Sequence, residues 1–236
     1  MEINKLKMYN NKIKHIFFDL DHTLWDFDKN SEVAFDRIFK LNHPNIKIDK
    51  FIEKYVPINQ ACWKLFQNDE ITHHELRYNR LKHTFDAINH EISDVEIDKI
   101  SNDYLEFLPE SNLLFDGTIE ILEYLVTKYE LHIITNGFAE VQAKKINNSD
   151  IRHYFKSITD SEMAGVKKPN PKIFEHALQI AKAKKSESIM IGDSLDADVQ
   201  GAINFGIDAI YFNSNNEKTT IDVLEIKNLL ELKNYF

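Results

Sequence analysis

The stretch "HIFFDLDHTLWD" (residues 15–26) opens as a continuous apolar run and stops at two aspartates, Asp19 and Asp21, one residue apart. A short apolar run bounded by polar residues reads as a buried strand, so both carboxylates fall where such a strand ends. Similar runs recur at residues 131–135, 157–159, 188–191 and 208–212, each bounded by polar residues or glycine; five short strands are expected. Helical stripes lie between them. Ile121, Leu122, Leu125, Val126 and Tyr129 form one, and Ile173, Phe174, Ala177, Leu178 and Ala181 form another, with Asn170 placed to cap it and Pro171 at its first position. This alternation implies an α/β fold: a doubly wound parallel sheet with right-handed crossovers, whose ligands gather at the carboxyl ends of the strands.

About eighty residues, Phe27 to Phe107, break the alternation with helical stripes and no convincing strand. "SEVAFDRIFKL", "FIEKYVPINQACWKLF", "THHELRYNRLKHTFDAI" and "SDVEIDKISNDYLEFL" are its expected helices, and Pro109 with Asp116–Gly117 marks the return to the sheet. The expected organisation is an α/β core of residues 1–26 and 108–236, with an all-helical cap of residues 27–107 inserted where it can cover the two aspartates.

The 236 residues suffice for a large core, and no low-complexity or repetitive tract interrupts them. A net charge of −9 argues against a nucleic-acid polymer as partner, since phosphate-backbone binding requires clustered Lys and Arg. A small molecule is expected instead. Cys62 is the single cysteine, so no intrachain disulfide can form, and a free core thiol is expected. With no signal-like N-terminus and no run of about 18 apolar residues, a cytoplasmic protein without membrane association is expected. Oligomeric state is not legible.

The remaining polar groups are Thr135 and Asn136 in "ITNG" at the end of the second strand, Lys167 and Lys168 in "GVKKPNPKIF" just before a helix, and Asp193, Asp196 and Asp198 in "IGDSLDAD" at the end of the fourth strand. Convergence of Asp19, Asp21 and Asp193 would be repulsive: two carboxylates about 4 Å apart cost roughly 4 kcal/mol at an effective dielectric near 20. A cation must offset them. An oxygen-only ligand set with room for water and phosphate suits Mg²⁺, and a lysine at the same point would balance the remaining charge.

The segments "DLDHT", "ITNG", "KKP" and "GDSLDAD", in this order around a helical insertion, resemble the haloacid dehalogenase-like (HAD) hydrolase superfamily, in its branch with a helical cap after the first motif. Each motif alone is short; four in order at strand ends are specific. The resemblance covers essentially the whole chain and implies a Mg²⁺-dependent phosphomonoesterase acting on a small phosphate monoester. It makes Asp19 the nucleophile that forms an aspartyl-phosphate, and Asp21 the residue that protonates the leaving oxygen and then deprotonates the hydrolytic water. Thr135, Asn136 and Lys168 would bind the transferring phosphate, while Asp19, Asp193 and the backbone carbonyl of Asp21 would hold Mg²⁺. Asp198 would be a supporting or secondary metal partner, and Thr23 would fix the loop.

Plainer readings compete at several positions. Asp21 alone could cap a turn, and "TNG" alone is an ordinary turn signal. Lys167 reads as a solvated neighbour of Lys168, and Asp196 as a helix-start charge. His73 and His74 are consecutive on a helix and do not share a face, so exposed positions are expected. Trp63 and Phe66 are expected in the cap core. His22 occupies a slot where the family often has Gly or Asp, and it is assigned no role.

"ITNGFAEVQAKKI", "DSEMAGVKKPNPKIFEHAL" and "DHTLWDFDKN" further resemble the pyrimidine 5′-nucleotidase branch, with Phe138 and Gln142 carrying part of the match. That implies nucleoside monophosphates as substrates. Trp25, Phe27 or Trp63 could stack on a base or simply pack. Sugar-phosphate phosphatase and phosphosugar mutase activities are alternatives within the superfamily. A 2-haloacid dehalogenase needs neither Asp21 nor Asp193, and a non-catalytic binding protein would lack part of the set.

Overall fold

The computed structural model describes residues 9, 12–43, 45–219 and 221–236. Residues up to Asp26 together with Leu113–Phe236 form one compact unit, and Phe27–Asn112 form a second.

The first unit is built on a six-stranded sheet: β1 (His15–Phe18), β2 (Glu130–Thr135), β3 (Phe155–Asp160), β4 (Ser188–Gly192), β5 (Asp208–Phe212) and β6 (Leu224–Ile226), in the spatial order β3-β2-β1-β4-β5-β6. Every pairing is parallel. The order reverses direction at β1, between β2 and β4, which is where a doubly wound sheet opens its ligand crevice. All four β1 residues are buried, as expected of a central parallel strand with both faces covered. The expected doubly wound α/β fold is the one observed.

Helices α5 (Thr118–Val126), α6 (Ala139–Asn148), α7 (Ser161–Ala164), α8 (Pro171–Ala181) and α9 (Gly201–Phe205) connect the strands. One core layer joins Phe17 and Met190 of the sheet to Ile173, Phe174, Ala177 and Leu178 of α8. The Asn170 side chain accepts from the Lys172 N–H, and Pro171 opens the helix as its sequence implies.

Two differences from the sequence expectation concern strands. Beyond the five expected, β6 pairs with β5 through only three residues, too few for any alternation to register. β3 runs from Phe155 to Asp160 rather than over three residues, because the exposed Lys156 interrupts an otherwise buried run.

The second unit contains α1 (Phe27–Asn42), α2 (Ile48–Gln67), α3 (His73–Ala87) and α4 (Asp94–Phe107). Capping boxes at Thr72/Glu75 and Ser93/Glu96 start α3 and α4, each satisfying two backbone donors that a helix start leaves open. Its interior is aromatic. Phe35 meets Phe39, Phe51, Tyr55 and Tyr104 at ring-centroid distances of 5.8, 4.8, 4.7 and 4.4 Å. Cys62 is a buried free thiol, and His73 and His74 are exposed, as expected. Trp63 and Phe66 are a correction: they pair edge-to-face at 5.6 Å but are only half-buried, because the buried stripe of α2 runs through Phe51, Tyr55, Asn59 and Cys62 instead. Among the described residues, no helix is long and apolar enough to cross a membrane.

Candidate active site

β1 stops at Phe18, but the next N–H still bonds across to β4, from Asp19 to the Ile191 carbonyl at 2.9 Å. This last bond anchors Asp19 at the sheet's carboxyl edge. The chain then turns tightly, with Leu24 and Trp25 N–H groups both donating to the Leu20 carbonyl at 2.9 Å. His22 sits in the turn at φ 63°, a left-handed conformation in which His, Asn and Asp are over-represented among non-glycine residues. The unusual residue at this slot thus has a backbone role.

Asp19 is buried and meets Lys168, which arrives from the segment before α8. Lys168 Nζ lies 2.5 Å from Asp19 Oδ1, 2.6 Å from Asp198 Oδ1 and 2.7 Å from the Ile134 carbonyl, so its three ammonium protons are all engaged. Both ends of the Asn136 carboxamide hold the Lys168 backbone: Oδ1 accepts from its N–H at 2.7 Å and Nδ2 donates to its carbonyl at 3.0 Å. Neighbouring Lys167 is half-buried.

Asp193 and Asp198 come from the turn after β4. Asp193 Oδ1 accepts from Thr23 Oγ1 at 2.9 Å, and Asp198 Oδ2 accepts from the Ser194 N–H at 3.0 Å. Residues Leu195–Gln200 form a π-helical turn, capped by the Ser194 side chain, which presents Asp198 inward while Asp196 stays exposed. Gly192 makes this possible: a methyl group there would overlap the Asp198 side chain, its Cβ lying 2.6 Å away. One carboxylate oxygen each from Asp19, Asp193 and Asp198 falls within 4.8 Å of the others.

Three carboxylates thus face one ammonium. Burial raises the Asp19 carboxyl well above the usual range, more than Lys168 lowers it, and Asp198 and Asp193 raise it further. Burial, then Asp198, pushes Asp193 up to about 8. Burial also opposes the charge on Lys168, but Asp19 and Asp198 together outweigh it and raise the lysine above its ordinary value. The cluster lacks positive charge. Lys168 occupies Oδ1 of Asp19 and Thr23 occupies Oδ1 of Asp193, which leaves Oδ2 of each without a side-chain partner among the described residues. Hard oxygen donors around a surplus of negative charge match what Mg²⁺ requires.

Asp21 does not join this cluster through its side chain. Its Oδ1 is 2.7 Å from Lys145 Nζ and its Oδ2 is 2.9 Å from Gln142 Nε2, both from α6. Gln142 also donates to Thr135 Oγ1 at 2.7 Å, and Gly137 N–H donates to the same oxygen at 3.1 Å. A hydroxyl that accepts twice has only its own O–H left to offer. Lys145 was not singled out in the sequence; its one visible signal is that it lies three residues after Gln142 and therefore shares its helical face. Its ammonium also lies 4.4 Å from the centre of the Trp25 ring. Trp25 and Phe27 are buried, so packing is their observed role.

A family model described as "haloacid dehalogenase-like hydrolase" matches residues 13–206. The pyrimidine 5′-nucleotidase PynA of Streptococcus pneumoniae is 31% identical over 92% of this chain and 94% of its own length. The pyrimidine 5′-nucleotidase YjjG of Escherichia coli is 30% identical over 86% of this chain and 87% of its own. Among solved structures, the putative HAD-hydrolase YfnB of Bacillus subtilis, bound to magnesium, superposes with a TM-score of 0.84 at 28% identity, covering 94% of this chain and 97% of that one. The doubly wound sheet, the four motifs at its strand ends and these similarities together show that the chain belongs to the haloacid dehalogenase-like hydrolase family.

Proposed function

We propose that the protein is a Mg²⁺-dependent phosphomonoesterase that works through phospho-Asp19, with pyrimidine nucleoside 5′-monophosphates as its substrates. The observation that carries this reading is the buried Asp19 carboxylate, fixed by Lys168 and surrounded by Asp193 and Asp198. Two relatives at 30% identity or above that act as pyrimidine 5′-nucleotidases support the substrate class.

In the first step Asp19 Oδ2 attacks phosphorus, an Oδ2–phosphorus bond forms and the ester P–O bond breaks, the leaving oxygen taking its proton by way of Asp21. In the second, Asp21 takes a proton from water, whose oxygen attacks phosphorus and releases Asp19 and phosphate. Asp19, Asp193 and the backbone carbonyl of Asp21 would hold Mg²⁺, which when bound supplies the positive charge that three carboxylates lack. Lys168 acts as the counter-ion that orients Asp19 and works against the effect of burial on its carboxyl. Thr135, its lone pairs taken by Gln142 and Gly137, donates its O–H to a phosphoryl oxygen. Asn136 contributes by positioning Lys168, Asp198 by completing the lysine's coordination, and Thr23 by orienting Asp193. Gln142 and Lys145 hold Asp21 in place.

The test is phosphate release, with and without Mg²⁺, from dUMP, dTMP, UMP, CMP, AMP, GMP and several sugar phosphates. Mg²⁺-dependent release favouring the pyrimidine nucleotides is expected. Release mainly from sugar phosphates would retain the chemistry and overturn the substrate class; an isomeric phosphate product in place of free phosphate would indicate a mutase.

A further inference from the structure

A second cluster of ligand-type side chains lies at the amino ends of the same strands. In the register of β1 and β2, His15 stands opposite Glu130 and Phe17 opposite His132. Residues two apart on a strand share a face, so Glu130 and His132 project together and His15, aligned with Glu130, joins them. His15 Nδ1 is 3.2 Å from His132 Nε2 and 3.5 Å from Glu130 Oε2, and one donor atom of each residue lies within 4.8 Å of the others. Two ligands on one tetrahedral zinc ion, at bond lengths of about 2.0–2.1 Å, stand roughly 3.4 Å apart. The two spacings from His15 lie near that value, and the third pair falls within 4.8 Å.

Two further features favour an ion over a plain pair of hydrogen-bonded histidines. The far nitrogen of His132, Nδ1, is 2.8 Å from Ser157 Oγ on β3. With the proton on Nδ1 donated to Ser157, the Nε2 lone pair faces His15 and Glu130, the second-sphere arrangement that metal-bound imidazoles use. His132 is fully buried and His15 nearly so, whereas Glu130 is exposed, so two fixed imidazoles meet one adjustable carboxylate. A cavity of about 420 Å³ opens beside them, lined by His15, Glu130, Tyr129, Tyr154 and the chains of Lys14 and Lys156 among others. Lys14 is drawn to Glu187 at 2.9 Å and Lys128, also on the rim, to the Tyr124 hydroxyl and the Phe236 carbonyl.

We infer that His15, Glu130 and His132 form a binding site for a divalent transition-metal ion of the zinc type, separate from the aspartate cluster. Two imidazoles and one carboxylate favour such an ion over Mg²⁺ or Ca²⁺, and three protein ligands leave a fourth position for water or an anion, with His15 and Glu130 both lining the neighbouring cavity. Four residues of extended chain, on the order of 13 Å, separate His15 from Asp19, so the two sites take different ions by donor type and do not share one.

Cobalt(II) reports on this directly, because tetrahedral Co²⁺ absorbs visible light far more strongly than octahedral Co²⁺. The full-length protein is titrated with Co²⁺ in excess Mg²⁺, and then with Zn²⁺ as competitor. One equivalent of tetrahedral Co²⁺, displaced by Zn²⁺, is expected for the wild type and equally for Asp193→Asn. His15→Gln and Glu130→Gln, both at the edge of the core, should each weaken binding more than tenfold, with circular dichroism verifying their folds. An octahedral spectrum alone, retention of the signal in both His15→Gln and Glu130→Gln, or its loss in Asp193→Asn would overturn the assignment.

Discussion

Both units of this protein bury charge, and they compensate it in opposite ways. At the carboxyl edge of the sheet, Lys168 is buried against two carboxylates at 2.5 and 2.6 Å, and a third, Asp193, completes the group. In the helical unit, Arg80 is equally buried, yet its guanidinium carbon stands 4.9 Å from the Tyr104 ring centre and its Nη1 donates to Asn59 Oδ1 at 3.4 Å. Burial pushes the Tyr104 phenol well above its usual range, so this ring remains neutral and offers Arg80 its π face rather than an anion. Arg80 Nε and Nη2 are buried with no hydrogen-bond partner among the described residues, so a ring face and one amide oxygen are what face this charge. A surplus of one sign, held together by a single counter-ion, costs stability and is the mark of a place where something else binds.

That contrast can be broken by substitution. The largest expected effect is Asp19→Asn, which should lower turnover by more than about 10³-fold while leaving the thermal midpoint unchanged or higher, since one of three crowded carboxylates is removed. Activity and a thermal melt check this; retained turnover would remove Asp19 from the nucleophile role. Lys168→Met leaves Asp19 and Asp198 buried without their counter-ion and should destabilise by roughly 3–5 kcal/mol in urea unfolding. Equal stability would mean that the cluster is not held by charge.

In the helical unit, Phe35→Ala removes a ring that four others contact and should cost about 3–5 kcal/mol through a cavity, without altering how Asp19 reacts with a substrate once bound. A loss of chemistry with no loss of stability would contradict the division of labour between the units. The smallest effect concerns pH. Burial, then His15, lowers His132 to about 4, against an ordinary value of 6.5. Between these values the unfolded chain binds a proton that the folded one does not, so stability is fully present above pH 6.5 and declines as pH falls toward 4. In EDTA, His132→Phe should show a shallower decline than the wild type; identical slopes would remove His132 as a contributor.

Much of the site was legible because its residues interrupt apolar runs. Asp19, Thr135 and Asp193 stand at or just past the end of a strand, on the edge of the sheet where ligands of this fold gather. Lys168 stood out from Lys167 by its place before Pro169, and its burial separates the two in the structure. What pairs with what was not legible. Asp21 reads as a twin of Asp19, two residues away on an extended chain, but the turn after Leu20 directs it to Gln142 and Lys145 on α6. Lys145 looks like any helix-surface lysine until α6 is packed. No spacing rule indicates that the Asn136 amide holds the Lys168 backbone, or that Asp198, a supporting or secondary metal partner by its motif, also takes the Lys168 ammonium. The helices of the second unit follow from periodicity, but neither which aromatics fill its interior nor the buried Arg80 does, since a helical stripe does not say which arginine lies underneath.

The central claim is that Asp19 becomes covalently phosphorylated. Rapid acid quench of the enzyme with ³²P-labelled substrate, followed by proteolysis and peptide identification, tests it most directly. Acid-stable, hydroxylamine-labile label is expected on the peptide carrying Asp19, formed before phosphate appears in solution and absent in Asp19→Asn. Phosphate release with no label at any time, or label on a peptide that does not contain Asp19, would contradict it.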